Sequence, residues 1–117
     1  MIERVATWFA ARDDVRGVAL VGSQARGDAG PDSDIDLVVV CDDPGAYVHD
    51  DAWPAELGGV LIRTREWGDL TERRLKLEGV AAELDLGFVT AEWNPPANLR
   101  NDAIWLVEPH DRNSGLP

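Results

Sequence analysis

The sequence predicts an α+β domain, a mixed α/β fold built on a β-sheet, and two observations lead to this prediction. Apolar residues recur at helical spacing near the N-terminus, whereas most later apolar runs are short and rich in Val, Leu and Ile, as strands are. Gly, Pro and Asp residues separate these runs along the 117 residues. A chain of this length is expected to form a single domain, residues 1–117.

The first part of the chain predicts one helix and two strands. Apolar residues on one helical face predict an amphipathic helix over Ile2–Arg12. A short apolar run, VALVG, begins at Val18, and a longer one, IDLVVV, begins at Ile35; its Val content favours a strand covered on both faces. We expect these strands to be neighbours in one sheet, with a single helical turn over Ser23–Arg26 between them.

The second part of the chain predicts a short helix and further strands. The segment PGAYVHDDAWPAELGG predicts a brief helix with Tyr47 and Trp53 as buried anchors. VLIRTREWG has a β-like start, and LTERRLKLEGVAAELDLGFV predicts two strands about a turn at Glu78 and Gly79. A helix over DLTERRLKLEG also fits the spacing, although we favour the strand. AIWLVE is a last short apolar run before a polar tail from about residue 109.

The charge of the chain argues against duplex nucleic acid as a partner. The sequence has 22 acidic and 11 basic residues and a net charge of -11, whereas duplex binding depends on Lys and Arg. No apolar run is long enough to cross a bilayer, the N-terminus lacks the basic region of a secretion signal, and Cys41 has no partner for an internal disulfide. We therefore predict a cytoplasmic protein without membrane contact, for which a cation is the natural partner.

Asp34 and Asp36 stand at the start of the strand that begins at Ile35. Because side chains alternate along a strand, both carboxylates point to one side, about 6 to 7 Å apart. Carboxylates at this range raise each other's pKa unless a cation lies between them. Oxygen ligands of this kind favour Mg²⁺, which commonly binds one or two carboxylates together with substrate phosphates. The pair predicts a magnesium site and a phosphate-bearing substrate.

Gly22 and Ser23 follow the preceding strand and are candidate phosphate contacts. Glycine allows close backbone approach, and Ser23 with the following amides can donate hydrogen bonds at the start of a helical turn. Arg26 is the fixed positive charge expected nearby. The P-loop pattern is absent because Lys76 is the only lysine, which excludes a P-loop nucleotide hydrolase.

The sequence has one concentration of basic residues, which comprises Arg63, Arg65, Arg73, Arg74 and Lys76. We interpret it chiefly as a solvated face beside a sheet edge.

The combination of these two motifs resembles the nucleotidyltransferase superfamily of the DNA polymerase β type. Gly22-Ser23 is followed by ten residues and then by Asp34-Ile35-Asp36. The fuller segment GSQARGDAGPDSDIDLVVV is similar to the small bacterial branch, the minimal nucleotidyltransferases and the aminoglycoside nucleotidyltransferases. The resemblance implies a single nucleotidyltransferase domain, with a central mixed sheet of about four to five strands flanked by helices.

The resemblance also implies a reaction. The family's metal-binding pair falls on Asp34 and Asp36, and its phosphate contacts fall on Gly22 and Ser23. Members of the family use two Mg²⁺ ions to transfer a nucleoside monophosphate from a nucleoside triphosphate to an acceptor hydroxyl. For this chain we expect an enzyme that transfers AMP from ATP.

A third carboxylate is implied on a later strand, where it binds the catalytic metal and can accept the proton of the attacking hydroxyl. AAELDLGFV offers Glu83 and Asp85, which alternate onto one face. We favour Asp85, which is flanked by Leu84 and Leu86. Whether Glu83 contributes to the metal site is left open.

The acceptor is also left open by the sequence. The residues after Phe88 are rich in Pro and Asn, which weakens the resemblance to aminoglycoside- or lincosamide-modifying enzymes, since these commonly use a further helical region to hold a small-molecule acceptor. By resemblance, the chain is closer to an antitoxin of a toxin–antitoxin pair that modifies a helical ribonuclease-type toxin. A catalytically inactive binding module of the same fold is the second class of function considered, and a homodimer is compatible with the sequence.

Overall fold

One six-stranded mixed sheet forms the centre of the protein. The computed structural model describes residues 1–30, 33–94 and 97–108. The strands are β1 Val15–Val21, β2 Ile35–Cys41, β3 Gly59–Trp67, β4 Leu70–Leu77, β5 Glu83–Val89 and β6 Ile104–Val107. Their order is β3-β4-β5-β2-β1-β6, with β2 and β5 parallel and the other neighbours antiparallel. The predicted fold class is confirmed, and the AIWLVE run adds β6 as one strand more than expected.

The helices are short and connect or flank the strands. They are α1 Ile2–Ala10, α2 Gly22–Arg26, α3 Gly45–Val48, a 3₁₀ helix Trp53–Leu57 and α4 Ala97–Asp102. The single brief helix predicted around Tyr47 and Trp53 is therefore two helices, which residues 49–52 separate. Within the described ranges no helix has the length and apolar character needed to cross a membrane. The polar tail predicted from about residue 109 lies outside the described residues.

The boundaries of the first elements differ slightly from the predictions. Helix α1 ends at Ala10 rather than Arg12. Strand β1 begins at Val15, three residues before Val18, because the buried Val15 already pairs with Cys41 of β2. As expected, β1 and β2 are neighbours.

Apolar side chains cover the two faces of the sheet unequally. The larger cluster lies on the face against α1, α3 and the 3₁₀ helix and includes Leu37 and Val39 of β2. The smaller cluster contains Val38 and Val40 of the same strand, so β2 is covered on both faces, as the sequence predicts. We call the face with the smaller cluster the site face, because alternation along β2 also brings Asp36 onto it.

The segment DLTERRLKLEG supplies β4, the strand that we favoured over a helix. It pairs antiparallel with β3 and with β5, and Gly79 in the following turn has a φ of +78°. Alternation sends Arg73 into the larger core, where it is 2 % exposed, and sends Arg74 to the site face. The interpretation of the basic concentration as a solvated face is therefore wrong for these two arginines.

Candidate active site

Register-paired residues of four neighbouring strands form a row across the sheet. Val21 of β1 pairs with Asp36 of β2, which pairs with Asp85 of the parallel strand β5. Asp85 in turn pairs with Arg74 of β4. Because paired residues point to the same face, Asp36, Asp85 and Arg74 all project from the site face. The sheet register thus brings together charged groups that are far apart in the chain.

Arg74 binds three carboxylates through its guanidinium group: Asp85 of the row, and Glu83 and Asp34 beside it. We call these residues together with Asp36 the carboxylate row. Its Nε and Nη2 donate to Oδ1 and Oδ2 of Asp85, both at 2.6 Å. Its Nη1 donates to Oε1 of Glu83 at 2.8 Å, and its Nη2 also reaches Oδ2 of Asp34 at 3.2 Å. The hydrogen bonds with Asp85 are the main reason that the pKa of Arg74 lies above its ordinary value. Asp34, Glu83 and Asp85 therefore share one internal cation.

Asp36 lies beside this cluster in a setting that disfavours its ionised form. Burial, a hydrogen bond with Asp85 and repulsion by the charges of Asp85 and Asp34 together raise the pKa of Asp36 to about 6. Arg74 acts in the opposite direction but does not offset these effects. The carboxylates of Asp34, Asp36, Glu83 and Asp85 lie around the single positive charge of Arg74. The cluster therefore keeps a net negative charge, which a further cation would neutralise.

Gly22 lies against the carboxylate of Asp36, immediately after β1. Its φ is +73°, and a Cβ built there would lie 2.5 Å from Oδ2 of Asp36. Glycine is therefore required at this position for two reasons: the backbone is left-handed, and a side chain would collide with the carboxylate of Asp36. Ser23 follows in α2, half-buried, and its carbonyl accepts a hydrogen bond from the amide of Asp28 at 3.2 Å. The predicted phosphate contacts thus border the carboxylate row.

Arg26 lies at the other end of α2 and not at the carboxylates. Its Nε pairs with Oδ2 of Asp28 at 3.4 Å, and both side chains are exposed. The expectation that Arg26 is the nearest fixed positive charge is wrong, because Arg74 contacts Asp34 and Asp85 directly. Its role as a nucleotide contact remains a prediction.

Sequence reasoning missed Arg74, although one signal pointed to it. A two-residue turn at Glu78 and Gly79 would already place Arg74 opposite Glu83 in the hairpin. The observed turn is wider, so Arg74 pairs with Asp85 instead. A shift of two residues keeps the side chain on the same face. The predicted hairpin therefore implied an arginine beside the acidic residues of β5.

The donor chemistry of the row fits a divalent cation such as Mg²⁺. Asp34, Asp36 and Asp85 offer only carboxylate oxygens, the ligands that Mg²⁺ prefers, and they already surround a cation. In the described part of the chain no three acidic, His or Cys side chains converge on one metal position. Asp34 and Asp85 instead converge on Nη2 of Arg74, and Glu83 contacts Nη1, so a guanidinium group lies between these carboxylates.

The chain matches a known protein family. A family model described as a nucleotidyltransferase domain matches residues 2–90, which include every strand of the carboxylate row and both candidate phosphate contacts. Among curated proteins no significant match to the chain was found.

Proposed function

Since the chain belongs to the nucleotidyltransferase domain family, we propose that it is an Mg²⁺-dependent enzyme that transfers a nucleoside monophosphate from a nucleoside triphosphate to an acceptor hydroxyl. ATP is the proposed donor, and AMP the group transferred. The observation that carries this proposal is the side-by-side pairing of Asp36 and Asp85 on the parallel strands β2 and β5. With Asp34 at the entrance of β2, three carboxylates lie at one edge of the site face.

Each residue of the site has a role in the proposed reaction. Asp34, Asp36 and Asp85 would hold two Mg²⁺ ions, which, when bound, polarise the α-phosphate and stabilise the leaving pyrophosphate. Gly22 and the amides at the start of α2 border the row from the other strand, where they can contact phosphate oxygens. Ser23 can donate its hydroxyl to the same oxygens, and Asp85 can accept the proton of the attacking hydroxyl.

Asp85 is suited to this role as a base by its surroundings. It is 6 % exposed, and its register position opposite Asp36 of β2 holds its carboxylate beside the other acids of the site, where its oxygens contact Arg74. A fixed and largely dry carboxylate can be held in line with an incoming hydroxyl. We assign Glu83 a supporting role, since it binds another nitrogen of the same arginine.

We further propose that the chain belongs to the branch of minimal nucleotidyltransferases and acts as the antitoxin of a toxin–antitoxin pair. The support is the segment Gly22–Val40, whose motif is that of the small bacterial members. In this proposal the acceptor is a hydroxyl on a helical ribonuclease-type toxin. Modification of an aminoglycoside- or lincosamide-like antibiotic, and neutralisation by an inactive module, are the alternatives that the following experiment separates.

The proposal is tested by incubating the protein with Mg²⁺ and each α-³²P-labelled nucleoside triphosphate in turn. Three acceptor pools are compared: a cell extract, a purified candidate toxin encoded by the neighbouring gene, and a panel of aminoglycosides and lincosamides. We expect label from ATP on the toxin, and loss of labelling when EDTA removes the metal. Label on a small molecule would favour the antibiotic-modifying alternative.

The matched variants are Asp36→Asn, which should abolish transfer, and Asp69→Asn, an exposed acid in the turn between β3 and β4 that should leave transfer unchanged. Circular dichroism is recorded for both variants, to show that they are folded. The enzymatic proposal would be sunk by absence of label in all pools together with absence of triphosphate binding by calorimetry. Toxin binding without label would favour the inactive module.

A further inference from the structure

Arg74 occupies the centre of the carboxylate cluster that the proposed function assigns to metal ions. Its side chain is 18 % exposed, and all three of its guanidinium nitrogens donate hydrogen bonds to Asp34, Glu83 or Asp85. Both oxygens of Asp85 are engaged at 2.6 Å. A carboxylate that binds Mg²⁺ presents an oxygen lone pair at about 2.0 to 2.1 Å from the ion. Arg74 and a metal ion therefore compete for the same oxygens.

We propose that Arg74 is a resident counter-ion that excludes divalent metal from the site until a triphosphate arrives. This inference rests on the proposed function, because it concerns the same carboxylates. Without ligand, the guanidinium keeps Asp34 and Asp85 together despite their repulsion. A metal–triphosphate complex brings phosphate oxygens, which offer the guanidinium a bidentate anionic partner in exchange for Asp85. Arg74 thus makes metal binding depend on the nucleotide.

The alternative for Arg74 is a purely structural role, comparable to that of its neighbour Arg73. Arg73 is 2 % exposed on the opposite face and donates to the carbonyls of Tyr47 and Asp50, so it holds neighbouring segments in place. Arg74 has no such carbonyl partners in the described part of the chain; its hydrogen bonds go to carboxylates alone. A group whose hydrogen bonds go only to carboxylates, two of which are proposed metal ligands, is placed to control that metal.

The test measures binding of Mn²⁺ alone, in place of Mg²⁺, by the electron paramagnetic resonance signal of the free ion. Wild type, Arg74→Met and Arg74→Lys are compared with Lys76→Met, the control. Lys76 lies on the same face of β4, and its ammonium group donates to the carbonyl of Leu77 rather than to the row. We expect Arg74→Met to bind Mn²⁺ about tenfold more tightly than wild type or better, since a positive charge within a few ångströms of the ion is lost.

Arg74→Lys keeps the charge but cannot bind both oxygens of Asp85 in the same way, so it should give an intermediate gain. It also keeps the test decisive if Arg74→Met does not fold. Lys76→Met should change Mn²⁺ affinity less than threefold, as expected of a screened charge outside the row. In thermal melts, Mn²⁺ should raise the midpoint of Arg74→Met more than that of wild type.

The inference is overturned if neither Arg74 variant binds Mn²⁺ more tightly than wild type, or if Lys76→Met gains as much as they do. A purely structural arginine would lower the melting midpoint equally with and without Mn²⁺. A parallel titration of each protein in the presence of ATP separates this failure from failure of the proposed function. If Mn²⁺ and ATP together bind wild type but the Arg74 variants show no gain, the counter-ion role alone fails. If no protein binds Mn²⁺ with or without ATP, the metal site itself fails.

Discussion

At the scale of single residues, the site depends on a contact between a glycine and a carboxylate. Gly22 directly follows β1 at the point where Asp36 projects from β2, and the missing side chain leaves the space that Oδ2 of Asp36 occupies. The sequence suggested that this glycine allows phosphate to approach. In the structure the group that approaches it is Asp36, so Gly22 also determines where one carboxylate of the row lies.

Gly22→Ala is expected to destabilise the protein by about 2 to 4 kcal/mol, the sum of left-handed strain and a forced displacement of Asp36. Gly27→Ala is the matched control, because Gly27 has a φ of +79° but no atom within 4 Å of a built Cβ. The control should lose only the strain, about 1 kcal/mol. Urea unfolding of both variants provides the measurement. Equal losses would show that the contact with Asp36 contributes nothing.

Cys41 is expected to be an unreactive thiol in the folded protein. Burial, followed by the negative charges of Asp14, Asp42 and Asp43, raises the pKa of this thiol from 9.0 to about 12. At pH 8 a thiol-specific disulfide reagent should therefore label Cys41 only after unfolding in urea. Rapid labelling of the folded protein would contradict this expectation.

The same pKa shift gives a pH dependence of stability. The unfolded chain releases the thiol proton near pH 9, whereas the folded chain keeps it to about 12, so stability falls as pH rises through this interval. Cys41→Ala lacks the effect. We expect the free energy of unfolding of wild type to decrease relative to this variant between pH 8 and pH 11, measured by urea titration. A constant difference would rule out a raised thiol pKa.

At the scale of elements, β4 carries two adjacent arginines with different partners. Strand alternation turns Arg73 into the larger core and Arg74 towards the carboxylate row. Arg73 donates to the carbonyls of Tyr47 and Asp50 and also pairs with Asp51. One strand thus anchors the connection between β2 and β3 with one arginine and binds the carboxylates of the site with the next.

Arg73→Met is expected to cost about 3 kcal/mol or more, because it removes the hydrogen bonds of a buried guanidinium group to the carbonyls of Tyr47 and Asp50 and its ion pair with Asp51. Arg65→Met, at an exposed position of β3, is the control and should change stability by about 0.5 kcal/mol or less. Guanidinium unfolding gives the free energies, and hydrogen exchange should show faster opening of residues 45–57 in Arg73→Met. Unchanged exchange there would mean that Arg73 does not anchor this segment.

At the scale of the whole molecule, an aromatic cluster joins the helices to the sheet. The ring of Phe9 in α1 contacts Tyr47 of α3 at 5.8 Å, Trp53 of the 3₁₀ helix at 5.9 Å and Phe88 of β5 at 5.9 Å. Tyr47 stacks on Phe88 with centroids 5.1 Å apart. Four elements therefore share one cluster on the face opposite the carboxylate row.

Phe9→Ala should destabilise the protein by about 3 to 5 kcal/mol, as expected for a fully buried phenylalanine. Trp67→Ala, which removes a larger ring that is 59 % exposed on the edge strand β3, should cost about 1 kcal/mol or less. Thermal melts followed by near-ultraviolet circular dichroism compare the two. A similar loss in both variants would show that the aromatic cluster does not hold the layers together.

The sequence by itself determined the elements and the principal acids. Hydrophobic alternation located the strands from Val18 onward to within a few residues, because a half-buried or fully buried strand must repeat its apolar positions. The motif from Gly22 to Asp36 is sufficient to indicate the nucleotidyltransferase family. Both the strand pattern and the motif involve residues that are close together in the chain, so they can be recognised from the sequence alone.

Only the tertiary structure decided which charges meet. The parallel pairing of β2 with β5 brings Asp36 beside Asp85, and the width of the turn after β4 sets Arg74 against Asp85 rather than Glu83. Neither the strand pairing nor the turn width can be derived from the local hydrophobic pattern, because strand register depends on the packing of entire sheet faces and on turn geometry. For the same reason the sequence pointed to Arg26 as the nearby cation, whereas the fold supplies Arg74.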